Sequence, residues 1–97
     1  MRIIKVLPSF ERSLRKLPFT AKKKVKKALK QLNEFLITGT LPKGLGPKKI
    51  NKDKYEIRVD ISLRIIIKME GEDIYLVLIG SHEDIKRYLK ELSLIHI

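Results

Sequence analysis

His82 is the side chain in this sequence best suited to accept a proton near neutral pH. It is one of two histidines in 97 residues and lies in the stretch LIGSHEDIKRYL, between an apolar segment and a charged one. A neutral imidazole can act as a general base, and arginines such as Arg58 and Arg64 bind phosphate through two nitrogens. An isolated histidine at the start of a helix is more often only an exposed polar residue, and this alternative stays open.

The first half of the chain is strongly basic. The formal net charge is +11, and residues 1–54 contain 16 Lys or Arg against 3 Asp or Glu, whereas residues 55–97 contain 6 against 8. Such a charge attracts polyanions, so we expect a nucleic acid, an acidic protein or both as partners. Lysines that only solvate a helix surface are the alternative. The candidate contact residues are Lys22, Lys23, Lys26, Lys27, Lys30, Lys48, Lys49, Lys52 and Lys54.

The composition argues against several other classes of protein. The chain has no cysteine, and its two histidines are too far apart in sequence for an ordinary histidine-rich metal site. Its apolar runs are far shorter than the roughly 20 residues of a membrane span, and its N-terminus lacks a signal-peptide pattern. We therefore expect a cytoplasmic protein with no cofactor, no metal site and no membrane partner.

A chain of this length forms one core, so residues 1–97 are expected to be a single domain. The last six residues, LSLIHI, resemble translated adapter sequence. Residues 92–97 are therefore treated as a tail that need not be native, and His96 is left out of the candidate site.

The first half shows one strand pattern and two helix patterns. Residues 2–7, RIIKVL, are β-branched and stop at a proline, which is typical of a strand. Apolar residues at helical spacing predict a helix over 10–17, capped by Ser9, and a longer helix capped by Thr20. Residues 38–54 contain three glycines and two prolines and are typical of a loop.

From Tyr55 the apolar period changes to two, which predicts strands with one apolar face. Turns near 60–62 and 70–73 separate these strands, and IYLVLIG supplies a buried central strand. Ser81 and Asp84 form a capping box that starts the last helix. The predicted fold is α+β in the order β-α-α-β-β-β-α, an antiparallel sheet with two N-terminal helices packed on one face and a short C-terminal helix.

Four charged side chains share the even positions of two neighbouring strands: Glu56, Arg58, Arg64 and Lys68. If the odd positions face the helices, these four project together from the uncovered face of the sheet. Two arginines and a lysine on one open face outline an anion site. An ordinary cross-strand pairing of Arg64 with Glu56 or Asp60 is the alternative.

Together these motifs resemble the RelE/ParE superfamily, the toxins of bacterial and archaeal type II toxin–antitoxin systems. IIKVLPSFERSLRKLP, the Gly/Pro/Lys loop, YEIRVDISLRIIIK and LVLIGSHEDI keep the order of that superfamily over residues 2–90. RelE-like members are ribonucleases that cut mRNA, usually in the ribosomal A site, whereas ParE-like members inhibit DNA gyrase. The motifs are nearest to those of the RelE/YafQ-like mRNA interferases, and the resemblance implies a small acidic antitoxin that covers the basic face.

The resemblance also implies roles for particular residues. Arg64 falls at the phosphate-contacting arginine of the nucleases, and Arg58 lies in the preceding Arg-x-Arg-like strand, with Glu56 at the other charged place. His82 in GSHEDI resembles the catalytic histidine in the GTH turn of YafQ-like members. Tyr88 is spaced like the C-terminal tyrosine of some RelE-like nucleases.

Some positions depart from the family pattern. Leu63 replaces the usual tyrosine before Arg64, and Arg58 stands where YafQ-like members have another histidine. The chain thus mixes features of two nuclease branches, which leaves the division of acid and base roles open. Tyr88 lies three residues from Ile85 on an apolar stripe, so a place in the core is its alternative.

The resemblance implies metal-independent cleavage of mRNA by attack of a 2′-OH on the adjacent phosphate. His82 would be the base, kept neutral by the positive end of a helix dipole, while Arg64 and Arg58 hold the phosphate. The basic surface would contact RNA and the ribosome. A gyrase inhibitor and an inactive RNA- or antitoxin-binding relic are the alternatives. The candidates for stabilising the leaving group are Lys68, Lys52 and Lys54.

Overall fold

Three helices and five strands lie within the residues that the structure describes. The computed structural model describes residues 3–39 and 47–95, with side chains up to residue 91. The elements are β1 (Ile4–Val6), α1 (Pro8–Arg15), α2 (Phe19–Thr38), β2 (Lys48–Lys49), β3 (Lys54–Arg58), β4 (Arg64–Glu70), β5 (Asp73–Gly80) and α3 (His82–Ile95). The predicted α+β order is confirmed, and β2 is added to it.

The strands form one sheet in the order β1-β5-β4-β3-β2. The antiparallel pairing predicted for the last three strands is confirmed, but β1 runs parallel to β5, with Ile4 opposite Ile74. A parallel pair requires a long crossover, which the intervening helices and strands supply. β2 lies inside the segment predicted to be a loop and pairs Lys48 with Glu56; residues 40–46 of that segment lie outside the described residues.

The helices α1 and α2 pack against one face of the sheet, as the apolar odd positions predict. Phe10 of α1 is buried there with Val25 and Leu32 of α2, against Ile57 and Ile65 of the strands. The removal of this apolar surface from water is the main force that holds the helices on the sheet. The same cluster contains Ala28, Leu63, Ile67, Ile74, Leu76 and Ile79.

Helix α3 packs on the opposite face of the sheet, so the expectation of an uncovered face is wrong for its centre. Ile66 and Val77 are buried there together with Ile85 of α3. Ile66 is the one apolar residue at an even position of β4, and a register shift after it leaves Val77 as the extra residue of β5. These apolar side chains draw α3 onto the face that also carries the charged residues.

Two of the three predicted helix caps are wrong. Ser9 and Thr20 lie inside their helices, whose N-cap positions are Leu7 and Pro18 and have no capping side chain. Pro8 is the first residue of α1, where its fixed φ suits the helix and its missing N–H leaves one donor fewer to cap, whereas Pro18 occupies the N-cap position of α2. The Ser9 hydroxyl instead donates to the carbonyl oxygen of Val77, which ties α1 to the sheet.

The buried cluster of Ile66, Val77 and Ile85 is the second core of the protein. Ile66→Ala tests it. Ile66 is fully buried, so removal of its side chain should lower the free energy of unfolding by about 2–5 kcal/mol through lost burial and a residual cavity. Urea unfolding measures the change. The control Ile61→Ala, at a side chain that is 91% exposed, should change stability by no more than about 0.5 kcal/mol. Equal effects of the two variants would contradict the packing of α3 on Ile66.

Candidate functional site

The register of the sheet places the two candidate arginines side by side. Arg58, the last residue of β3, lies directly opposite Arg64, the first residue of β4, and Arg64 lies directly opposite Gly80 at the end of β5. We call these three residues the arginine row. The chain leaves the row through Ser81 and enters α3 at His82. The two arginines and the histidine are therefore at the same end of the sheet.

Helix α3 begins with the predicted capping box. The Ser81 hydroxyl accepts a bond from the Asp84 amide at 3.2 Å, and Asp84 Oδ2 accepts bonds from the amide and hydroxyl of Ser81 at 2.9 Å. These bonds hold the pKa of Asp84 below its usual value. A Cβ at position 80 would lie only 2.8 Å from the Asp84 Cβ, so the tight approach requires Gly80. His82 is exposed directly after this rigid turn.

Arg64 is held in place by its own chain. Its Nε lies 3.0 Å from Glu56 Oε1, and the two side chains are only 15% and 12% exposed. Its Nη1 donates to the backbone oxygens of Asp60 and Leu63. The cross-strand pair with Glu56 is thus present, and Nη2 donates to no described residue. A fixed guanidinium with one nitrogen left over is suited to hold an anion in one orientation.

Arg58 has the opposite environment. It is exposed and makes no salt bridge within the described ranges. Like charges directly opposite each other in a sheet are destabilising, and Glu56 compensates only Arg64. The arginine row therefore carries uncompensated positive charge on the Arg58 side.

Asp60 fixes the turn between β3 and β4. Its Oδ1 accepts bonds from the amides of Ser62 and Leu63 at 2.8 and 2.7 Å, and its Oδ2 lies 3.1 Å from Lys24 Nζ in α2. Its backbone oxygen accepts the bond from Arg64. The Lys24 ammonium, followed by the Ser62 amide, lowers the pKa of Asp60 to about 2. One residue thus joins α2, the turn and the arginine row.

Lys68 and Lys54 lie away from the arginine row. They are directly opposite each other, and Asp53 lies 3.2 Å from Lys54 and 3.9 Å from Lys68. The bond to Glu70 raises the pKa of Lys68. Lys68 is four residues along β4 from the row, which is about 13 Å. The structure therefore does not bring these two lysines to His82, and their charges are compensated by carboxylates.

Tyr88 lies on the second core. It is a residue of α3 and packs against the cluster that contains Ile85. Burial, followed by the negative charge of Asp53, raises the pKa of Tyr88. It is six residues after His82, which is about 9 Å along a helix. This placement favours a packing role for Tyr88.

The lysines of α2 do not form one surface. Lys22 and Lys26 border a groove shared with α1, whereas Lys24 and Lys27 border a second groove at the end of β3. The helix therefore presents cations in two directions. The other candidate lysines are exposed: Lys23, Lys30, Lys48, Lys49 and Lys52.

A groove of about 590 Å³ lies between the end of α1, the β3–β4 turn and α3. Lys16 and Arg87 line it, and the sequence pattern predicts neither as a site residue. Arg87 is three residues after Asp84, to which it is paired at 3.5 Å, and this spacing is the one signal that could have revealed it. The arginines of the row and His82 do not line this groove.

Within residues 3–39 and 47–95, no group of three or more acidic or histidine side chains is arranged to hold a metal ion. No helix in the described part of the chain is long and apolar enough to cross a membrane.

The fold is similar to those of RelE, YafQ and YoeB in solved structures. A chain of the RelB–RelE antitoxin–toxin complex from Methanococcus jannaschii is 23% identical, with a TM-score of 0.68, over 87% of this chain and 96% of that chain. YafQ from E. coli is 20% identical, with a TM-score of 0.63, over 88% of this chain and 98% of that chain. YoeB from Staphylococcus aureus is 18% identical, with a TM-score of 0.62, over 81% of this chain and 94% of that chain.

No family model and no curated protein matches the sequence. The structural neighbours are RelE, YafQ and YoeB toxins, so the fold that the sequence resemblance predicted is confirmed.

Asp60→Asn tests the turn through its pH dependence. The pKa of Asp60 is lowered from 3.8 to about 2, so the folded chain binds fewer protons than the unfolded chain between these values. Its contribution is complete above the unfolded pKa and is lost as pH falls towards 2. Urea unfolding as a function of pH should give a shallower acid limb for Asp60→Asn. The other carboxylates are the same in both proteins. If the stability of both proteins falls equally steeply with decreasing pH, Asp60 therefore does not make this contribution.

Proposed function

We propose that this chain is the toxin of a type II toxin–antitoxin system and an endoribonuclease that cleaves mRNA, with the ribosomal A site as the place of cleavage. The observation that carries the proposal is the arginine row beside the exposed His82 at the start of α3. A proton acceptor and two phosphate-binding cations at one end of a sheet are the groups that RNA cleavage needs. The reaction as proposed requires no metal.

A comparison within the same two strands supports a phosphate at the arginine row. Arg58 lies directly opposite Arg64, and Lys54 lies directly opposite Lys68. Asp53 contacts both lysines, whereas Glu56 contacts Arg64 and no other cation among the described residues. An anion bound next to Arg58 would offset the remaining repulsion. Local rules are commonly broken where a ligand supplies the missing interaction.

The cleavage step uses His82 as the base. Its imidazole accepts the proton of the 2′-OH, the 2′-oxygen forms a bond to the adjacent phosphorus, and the bond from phosphorus to the 5′-oxygen breaks. The departing 5′-oxygen takes a proton from solvent water, so the products are a 2′,3′-cyclic phosphate and a 5′-hydroxyl. Arg64 and Arg58 stabilise the charge that develops on the phosphate oxygens.

We propose different tasks for the two arginines. Arg64 is immobilised by Glu56 and the turn, so it presents Nη2 without a large loss of side-chain entropy. Arg58 is exposed and unpaired within the described part of the chain, so it can follow the phosphate during binding.

The proposed partner in the resting state is a small acidic antitoxin. Structural neighbours include toxins solved in complexes with RelB, DinJ and YefM. The net charge of +11 suits an acidic partner that competes with RNA for the basic surface. We also propose the ribosome as a partner, because its rRNA is a polyanion. The proposed location of the protein is the cytoplasm, where ribosomes translate mRNA.

His82→Ala tests the reaction. Expression of the intact chain should arrest growth and produce codon-aligned cuts in cellular mRNA, and the variant should lose cleavage by about 10²–10⁴-fold because the general base is gone. Primer extension on cellular mRNA measures the cuts. Lys86→Ala, at an exposed position one turn further along α3, is the matched control and should cleave normally.

Two other results would replace the proposal. Arrested growth with intact mRNA and cleaved DNA would indicate a gyrase inhibitor, and no effect on growth would indicate an inactive binding protein.

Glu56→Gln tests whether the ion pair orients Arg64. The variant keeps an acceptor but loses the charge that fixes the guanidinium, so kcat should fall about tenfold with little change in KM. Rates on purified translating ribosomes measure both constants. Glu70→Gln, which removes a carboxylate 3.2 Å from Lys68, should leave both unchanged. A rise in KM with constant kcat would contradict an orienting role.

A further inference from the structure

The groove bordered by Lys24 and Lys27 begins where the arginine row ends. It has a volume of about 330 Å³ and lies between one face of α2 and the end of β3. Arg58 belongs to both the row and this groove. The residues that line the groove are Lys24, Lys27, Ala28, Gln31, Arg58, Val59 and Asp60.

The charges in this groove are not balanced. Lys24 and Asp60 neutralise each other across the groove at 3.1 Å, and the amides of Ser62 and Leu63 also bind the carboxylate. Lys27 and Arg58 are exposed, and neither makes a salt bridge within the described ranges. The groove therefore carries about two net positive charges on opposite walls, with the carboxylate already engaged.

The lining also contains groups that recognise more than charge. Gln31 is one turn after Lys27 on the same face of α2, and it is only partly exposed. Its amide can donate and accept hydrogen bonds, as the edge of a base requires. A cation on each wall suits a phosphate, and an amide one turn from Lys27 suits the base next to that phosphate.

We infer that this groove, hereafter the α2–β3 groove, binds a phosphodiester of single-stranded RNA adjacent to the phosphate held at the arginine row. Lys27 and Arg58 contact the phosphate from opposite walls, and Gln31 contacts the edge of the neighbouring base. Arg58 joins the two positions, so the strand passes from the arginine row around the edge of β3 to α2. The inference rests on the proposed function for the direction of the strand, but binding itself does not require cleavage.

The test measures binding of a short single-stranded RNA with 2′-O-methyl groups, which cannot be cleaved, by fluorescence anisotropy over a range of salt concentrations. Lys27→Gln should weaken binding by about threefold, as expected for one exposed ion pair. It should also reduce the slope of log K against log salt by about 0.7, as expected for one lost phosphate contact on a single strand.

Two further variants separate a site from general attraction. Lys90→Gln removes the same charge from an exposed lysine of α3, on the other side of the sheet, and should have a much smaller effect. Gln31→Ala should weaken binding without changing the salt slope, because it removes no charge. Thermal unfolding of each variant shows whether the fold is retained.

Equal losses for Lys27→Gln and Lys90→Gln, together with no effect of Gln31→Ala, would overturn the α2–β3 groove as an RNA site. If Lys27→Gln weakens binding of a poly-glutamate peptide and leaves RNA binding unchanged, the ligand of the α2–β3 groove is instead an acidic protein. Because the RNA cannot be cleaved, failure of the proposed nuclease activity would leave these results unaffected. Failure of the groove would likewise leave the cuts in cellular mRNA unaffected.

Discussion

The carboxylate of Asp60 is the constraint on which the candidate site depends. It closes the turn that sets Arg64 opposite Arg58, and it binds Lys24, which joins α2 to the same end of the sheet. The backbone oxygen of the same residue accepts a bond from the Arg64 side chain. One side chain and its own carbonyl group therefore hold the distant helix α2 against the turn and the start of β4.

Much of the fold follows from local patterns in the sequence. The apolar odd positions from Tyr55 onwards predict strands with one buried face, and Ser81 and Asp84 predict the start of α3, because both signals act over a few residues. The parallel pairing of β1 with β5 joins segments about 70 residues apart, which no local pattern specifies. The burial of Ile66 under α3 is not predicted by the pattern, because parity gives the face of a strand but not the helix that covers it.

The candidate site shows the same division. Strand parity correctly groups Arg58 and Arg64 on one face, and the sequence leaves open whether Arg64 pairs with Glu56. Parity also groups Lys68 with them, but it does not show distance along the strand or the carboxylates that surround that lysine. Compensation of charge depends on neighbours in space, so the structure is needed to separate the exposed Arg58 from Arg64, which is paired with Glu56.

The pairing of the first strand with the last has a consequence for how the chain folds during synthesis. Ile4 is made early, but its partner Ile74 is added about 70 residues later. The central sheet therefore cannot close until β5 has left the ribosome, and contacts of such long range slow folding. The strongly basic first half is made before the acidic residues of the second half. A nascent chain thus carries its positive charge, without its fold, next to the ribosomal RNA of the particle that makes it.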